Sequence, residues 1–346
     1  MLNSENSINK PAILISRTDG IGDVVLTLPV ANMLKKKFPQ SLILFLGRNY
    51  TKPVIECCED IDRFLSWDML QKMPENEQIS ALKQEKIDAI LHIFPQKAIA
   101  RLAYKAKIPQ RFGTSHRIYN LLYCNHLLHF SRRHSDLHEA QLNLQLLKPL
   151  IPDFVTPSIN ELSQYLKFKN ITPNPYSNLL ESNKFNLILH PKSKGSAREW
   201  DITNYCRLIS LLPEDKFKIF VCGTQEEGNQ IRSQLIEPYQ ERIEDLTGKC
   251  TLSQYIALIA EADGLIAAST GPLHISAIQN KHSIGLFPPI RPMNPQRWQP
   301  VGDKVKVFCA NKECEICRKT GQCKCMQSIT PEEIANYLIS NCLNDL

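Results

Sequence analysis

No apolar run in the 346-residue chain approaches the roughly 18 residues that a bilayer-spanning helix requires, which excludes a membrane-spanning helix. The opening stretch MLNSENSINKPAILIS lacks a basic region followed by a long apolar stretch and a small-residue cleavage site. No secretory signal is therefore read, and the chain is expected in the cytoplasm. A GxGxxG fingerprint is missing too, which removes the main support for a dehydrogenase. Charge of one sign is scarce: a net +6 is modest over this length, and the densest basic runs, LKKKFP and FSRRHS, are short and far apart. Nucleic acid would need a concentrated stripe with stacking aromatics, so it is not an expected partner. The balance still tilts toward anions such as phosphates, nucleotides or an acidic membrane surface.

Cysteine is not scarce, and its twelve copies read as reduced thiols in a chain without a signal. Most are scattered. The tail stretch CANKECEICRKTGQCKCM gathers Cys314, Cys317, Cys323 and Cys325, which admit a structural zinc reading, although a CxC second half is less usual than CxxC. Reduced thiols in a loop are the competing reading.

Hydrophobic residues make up 43% and charged residues 22%, the composition of a soluble globular protein long enough for two domains. Short apolar runs alternate with longer amphipathic ones: AILIS, then VVLTLPVANMLKKKF, SLILFLG and later IDAILHIF. That alternation predicts βαβ units around a parallel sheet. A Pro/Asn/Ser-rich stretch then interrupts the pattern, which restarts with FNLILHP, KFKIFVCG, RIEDLTG, DGLIAAST and HSIGLFPP. The expected division is residues 1–151, a linker or crossover at 152–184, and residues 185–346, giving two Rossmann-like α/β domains. The final helix opens with a capping box of Thr330 and Glu333 and is expected to be able to pack back on the first domain.

In open parallel sheets, ligands sit beyond the carboxyl ends of strands. SRTDGIGD occupies that place in the first half. Gly20 and Gly22 remove side-chain bulk from the turn, and Asp23 falls at or beside the cap of the next helix. Two readings stand: Asp23 as a helix cap with Asp19 as a turn former, or a carboxylate presented to a hydroxyl as a base. A pyrophosphate there would be repelled by both aspartates. In the second half, LHPKSKGSAREW places His190 at a strand end before a loop bearing Lys192, Ser193, Lys194, Ser196 and Arg198, an anion site of three cations and two hydroxyls. STGPLHISA sets Ser269, Thr270 and Gly271 before Pro272 and His274 at a helix start, where unpaired amides cradle an anion. Glu226 and Glu227 follow another strand, a position for holding ribose hydroxyls, or simply for surface glutamates.

Taken in order, ILISRTDGIGDVVLTLPV, LHPKSKGSAREW, STGPLHISA, IGLFPP and PQRWQP resemble the motifs of the ADP-heptose:lipopolysaccharide heptosyltransferases, glycosyltransferase family 9, from about residue 13 to 326. The resemblance implies a GT-B fold, two Rossmann-like domains facing a central cleft, with acceptor bound by the first domain and nucleotide-sugar by the second. It implies inverting chemistry with no cofactor or metal, Asp23 as general base, and Arg17, Asp19, Gly20 and Gly22 beside the acceptor. Arg198 matches the residue on the donor phosphate, and Thr270, Gly271 and His274 the donor turn. ADP-heptose is the implied donor, and a Kdo-lipid A or heptosylated lipopolysaccharide core the acceptor, at the inner face of the inner membrane. Membrane contact is expected to be peripheral, and the basic and aromatic residues of RLAYKAKIPQRFG read either as a surface for phospholipid headgroups or as a strand edge and a loop. The chain departs from the pattern at Ser269, where some members carry aspartate, and at HPKSK, where HPGSG is common. Another nucleotide-sugar donor, or a binding protein without turnover, are the alternatives that follow.

Overall fold

In both halves the apolar runs become buried parallel strands. The computed structural model describes residues 10–310 and 324–343, and the chain separates into two units, Met1–Asn170 and Ile171–Leu346. The first contains β1 (Ala12–Ser16), β2 (Leu42–Gly47), β3 (Arg63–Ser66), β4 (Ala89–His92), β5 (Gln110–Thr114) and β6 (His126–Leu128). They form one parallel sheet in the order β3-β2-β1-β4-β5-β6. The second contains β7 (Phe185–His190), β8 (Phe217–Val221), β9 (Ile243–Asp245), β10 (Gly264–Ala268), β11 (His282–Phe287) and β12 (Val305–Cys309). Their order, β12-β11-β10-β7-β8-β9, is the same topology repeated. Both are the doubly wound Rossmann arrangement, and the two-domain α/β expectation holds.

The central strands are covered on both faces, which is why AILIS and FNLILH are continuous rather than alternating apolar runs. Ile13, Leu14 and Ile15 of β1 are fully buried. The order reverses between β1 and β4 in one unit and between β7 and β10 in the other. Ser16 pairs with His92, and His190 with Ala267, so each pair of strands releases its loops from adjacent carboxyl ends. Those loops are SRTDGIGD and the segment after His92 in the first unit, and HPKSKGSARE and STGP in the second.

The structure corrects one expectation and adds detail to two others, with the boundary between the units falling inside the expected crossover at 152–184. The run VVLTLPVANMLKKKF is not one helix: Ile21–Val25 ends, and Leu28–Lys37 starts afresh with Pro29 in its first turn, because proline offers no amide to a continuous helix. The stretch 152–184 is not a bare linker. Its first part carries a capped helix, Ile159–Leu162, with Leu162 and Leu166 buried in the first unit, and its second part is tied down by Asn174 and Ser177, which both donate to Glu261. The final helix, Pro331–Tyr337, has the expected Thr330–Glu333 capping box but packs within the second unit. Ile334, Ala335 and Leu338 join that unit's core, the Trp200 indole donates to the Ile329 carbonyl at 2.9 Å, and Arg207 pairs with Glu332 at 3.0 Å. Among the described residues no helix is long and apolar enough to cross a membrane.

Candidate active site

The loop after β1 is organised by a buried guanidinium. Arg17, 3% exposed, donates through Nε to Asp19 at 2.7 Å, through Nη1 to Glu139 at 3.0 Å and to Asn143 at 3.1 Å, and through Nη2 to Asp23. Arg132 donates to Glu139, to Asn143 at 2.9 Å and to the Ile93 carbonyl at 3.0 Å. Asn143 returns the connection by donating to the Leu26 carbonyl at 2.9 Å, and Thr27 donates to the Asp23 carbonyl at 2.8 Å. Three carboxylates thus surround two guanidiniums at the point where the strand order reverses.

Asp23 is the third residue of helix Ile21–Val25 rather than its cap: Gly20 holds the cap position, without a side-chain bond. The helix directs the Asp23 carboxylate back onto Arg17, leaving the side chain 24% exposed. Burial pushes its pKa up, with the Arg17 guanidinium pulling the other way and Glu139 adding to the rise. Asp19 is pushed up to about 6, by burial against the same opposing Arg17. For Arg17, burial disfavours the charge, but the carboxylates of Asp19, Asp23 and Glu139 outweigh it and raise its proton affinity. The result is a carboxylate more basic than usual, held in one orientation and open on one side, which is what a general base needs. Gly20 makes room for it, since a Cβ there would stand 3.0 Å from Asp23 Oδ2. Tyr50 donates to the Asp19 carbonyl at 2.6 Å, Gln96 to Thr18 at 2.7 Å, and the Phe94 ring lies 5.9 Å from the Arg17 guanidinium carbon.

The second unit's loops are less uniformly cationic than their sequence. Glu199 neutralises part of the basic loop: it pairs with Lys192 and accepts from the Ser193 amide and hydroxyl, each at 2.8 Å. The Ser196 hydroxyl donates to the Ser193 carbonyl at 2.7 Å. Of the expected three cations and two hydroxyls, Lys192 and both hydroxyls thus also hold the loop together. Lys194 is exposed, at a left-handed φ of 48°, and makes no ion pair among the described residues; Arg198 is half-buried. His190 is buried against the Tyr255 hydroxyl at 3.1 Å, and burial lowers its pKa.

Thr270 precedes helix Gly271–Ile278, with Pro272 in its first turn, and makes no side-chain cap. Its hydroxyl is buried and has no hydrogen-bond partner among the described residues, although such a group is costly to leave unpaired. The helix amides and this hydroxyl are thus available to an anion. Ser269 and Gly271 are half-buried beside it, and His274 is buried in the same helix. Glu227 spends Oε2 on a capping box with Thr224, taking its amide at 2.7 Å and its hydroxyl at 2.9 Å, while no hydrogen bond reaches Oε1 among the described residues. Glu226 is exposed. Cys314, Cys317 and Cys323 of the zinc reading lie outside the described residues; Cys325 is half-buried, and the described residues contain no cluster able to hold a metal.

A family model described as glycosyltransferase family 9 (heptosyltransferase) matches residues 77–326. The chain belongs to glycosyltransferase family 9. A putative glycosyltransferase of Haemophilus influenzae is 30% identical over 319 residues, covering 88% of this chain and 91% of the relative. Among solved structures, E. coli ADP-heptose lps heptosyltransferase II superposes with a TM-score of 0.74 at 17% identity, covering 97% of this chain and 99% of that one. E. coli heptosyltransferase WaaC with ADP gives 0.71 at 15% identity, covering 95% and 99%. The family 9 chain is thus a glycosyltransferase with the GT-B fold. The family match takes in both second-unit loops and Glu139 but begins after Asp23.

Glu139, Asn143 and Arg132 were not legible as site residues. The helix Glu139–Leu144 reads as a leucine-rich closing helix, yet Glu139 and Asn143 stand four residues apart on one face and are both buried. A polar pair at that spacing within an apolar helix is the signal that could have found them.

Proposed function

We propose that this family 9 glycosyltransferase moves heptose from ADP-heptose to a lipopolysaccharide inner-core acceptor, Kdo-lipid A or its heptosylated product, by one inverting displacement that needs no metal. The observation that carries the reading is the Arg17 network, which holds a half-open Asp23 carboxylate of raised proton affinity at the strand-order reversal of the first unit. In the proposed step Asp23 takes the proton of an acceptor hydroxyl as that oxygen attacks the anomeric carbon. The bond from that carbon to the diphosphate oxygen breaks, and ADP leaves with the electron pair. Arg17, Asp19, Gly20 and Gly22 form the acceptor side. The leaving charge falls to Thr270, the amides at the start of helix Gly271–Ile278, Lys194 and Arg198, with Lys192, Ser193 and Ser196 shaping the loop and Glu227 Oε1 facing a ribose hydroxyl. A preorganised donor of this kind is worth about 3–4 kcal/mol of barrier. The solved structure of E. coli heptosyltransferase WaaC with ADP supports the choice of nucleotide.

Ser269 favours a second reading, since a neutral hydroxyl stands where some heptosyltransferases carry an aspartate. A different sugar on the same type of donor follows from it. Both readings are tested by incubating the enzyme with a panel of nucleotide-sugars and a defined truncated core acceptor. Product mass identifies the sugar and the anomeric coupling shows inversion. Heptosyl addition with inversion supports the first reading, addition of another sugar the second, and no addition from any donor contradicts both.

A further inference from the structure

Helix Ile118–Tyr123 in the first unit is inside out. Its polar residue, Asn120, is fully buried and donates to the Thr114 carbonyl at 2.8 Å, while Ile118, Leu121 and Leu122 stand 80%, 55% and 68% exposed on the opposite face. The spacing i, i+3, i+4 puts these three aliphatics on one side. Tyr104, itself 51% exposed on the neighbouring helix Lys97–Lys105, extends the patch through Tyr123, its ring 5.8 Å away. Contiguous apolar surface of this kind marks a binding face.

Charge identifies what it binds. From residue 89 to 135 the chain has eight Lys and Arg and no Asp or Glu across 47 residues. Glu75 neutralises Arg101 and Lys105, and Glu139 neutralises Arg132. Lys97, Lys107, Arg117 and Arg133 are exposed and have no ion pair among the described residues, and Arg117 directly precedes the helix. A second copy of this chain would bring like charges together across a shared face, which is unfavourable. An anionic lipid leaflet meets both features at once: acyl chains for the aliphatics and headgroup phosphates for the cations. The Tyr119 hydroxyl donates to the Pro95 carbonyl at 2.9 Å, next to Phe94 and the Arg17 network, so the patch adjoins the proposed acceptor loop.

We propose that helix Ile118–Tyr123 is a membrane-docking element that seats Ile118, Leu121 and Leu122 in an anionic leaflet and so presents a lipid-borne acceptor to the Asp23 loop. The acceptor part rests on the proposed function; the docking part does not. The test is co-sedimentation with phosphatidylcholine vesicles made with and without phosphatidylglycerol, for wild type, I118S/L121S/L122S and R117E, each checked for an unchanged Tm and oligomeric state. Wild type is expected on the anionic vesicles only, with a loss of about tenfold or more in the triple variant and about fivefold in R117E. Transfer to a deacylated, water-soluble acceptor should match wild type in the triple variant, while transfer to acceptor embedded in anionic vesicles falls with vesicle affinity. Wild-type protein that ignores anionic vesicles, a triple variant that binds them as wild type does, or one whose only change is loss of a dimer, overturns the proposal. Absence of transfer by wild type on either acceptor would instead defeat the proposed function and leave the vesicle result standing.

Discussion

Arg17 sets the chemistry of three carboxylates at once. Its guanidinium lowers the pKa of both Asp19 and Asp23, and burial outweighs it. The acid limb of kcat/KM should therefore lie above the ordinary carboxylate range, and R17M should move it to still higher pH. A limb that stays put or moves down in R17M would contradict the assignment. R17M should also destabilise the fold by about 3–5 kcal/mol, because it leaves buried carboxylates unpaired. The linkage at Asp19 has a definite sign. Its pKa rises from 3.8 to about 6, so between those values the native state holds a proton that the unfolded chain has released. The stability of wild type relative to D19N should thus fall as pH rises through that window, as read by Tm across the range. Gly20 tests geometry without charge. G20A should press on Asp23 Oδ2, lowering kcat about tenfold, with little change in Tm because φ at Gly20 is an ordinary −70°.

Helix Gly271–Ile278 carries the prediction at the scale of an element. The Thr270 hydroxyl has no partner to lose among the described residues, so T270A should leave Tm unchanged, yet weaken ADP binding about tenfold or more through loss of one hydrogen bond to a charged phosphate. Calorimetric titration with ADP and a thermal melt decide it; a lower Tm with unchanged affinity would make Thr270 structural. The central strands that were legible share one property, burial on both faces. β1, β4, β7 and β10 are continuous apolar runs, and the loops they release were found from sequence. The strands RFLS, QRFGT and HLL were not, because each is short and includes polar or partly exposed positions, so none makes an apolar run long enough to stand out. The loops' chemistry was only partly legible: Glu199 is near Lys192 in sequence, but its claim on Lys192 and Ser193 depends on how the loop folds back. Glu139 reaches Arg17 across 122 residues, a contact that no local pattern encodes.

At the scale of the whole molecule, one topology occurs twice, and the proposed function divides its work between the two copies. The first holds the Asp23 carboxylate against the Arg17 guanidinium, and the second presents the start of helix Gly271–Ile278 with a Thr270 hydroxyl that has no hydrogen-bond partner among the described residues. Charge is divided as well, with the acid-free segment 89–135 carrying more positive charge than the net +6 of the chain. Raising ionic strength should therefore slow transfer to acceptor in anionic vesicles while sparing a soluble acceptor. The division of labour makes a sharp demand on one residue. Turnover by D23N, measured as ADP release from ADP-heptose with a core acceptor alongside calorimetric ADP affinity, is the direct test. The account predicts a loss of about 10²–10⁴-fold in turnover with ADP affinity unchanged. Wild-type turnover in D23N would contradict it.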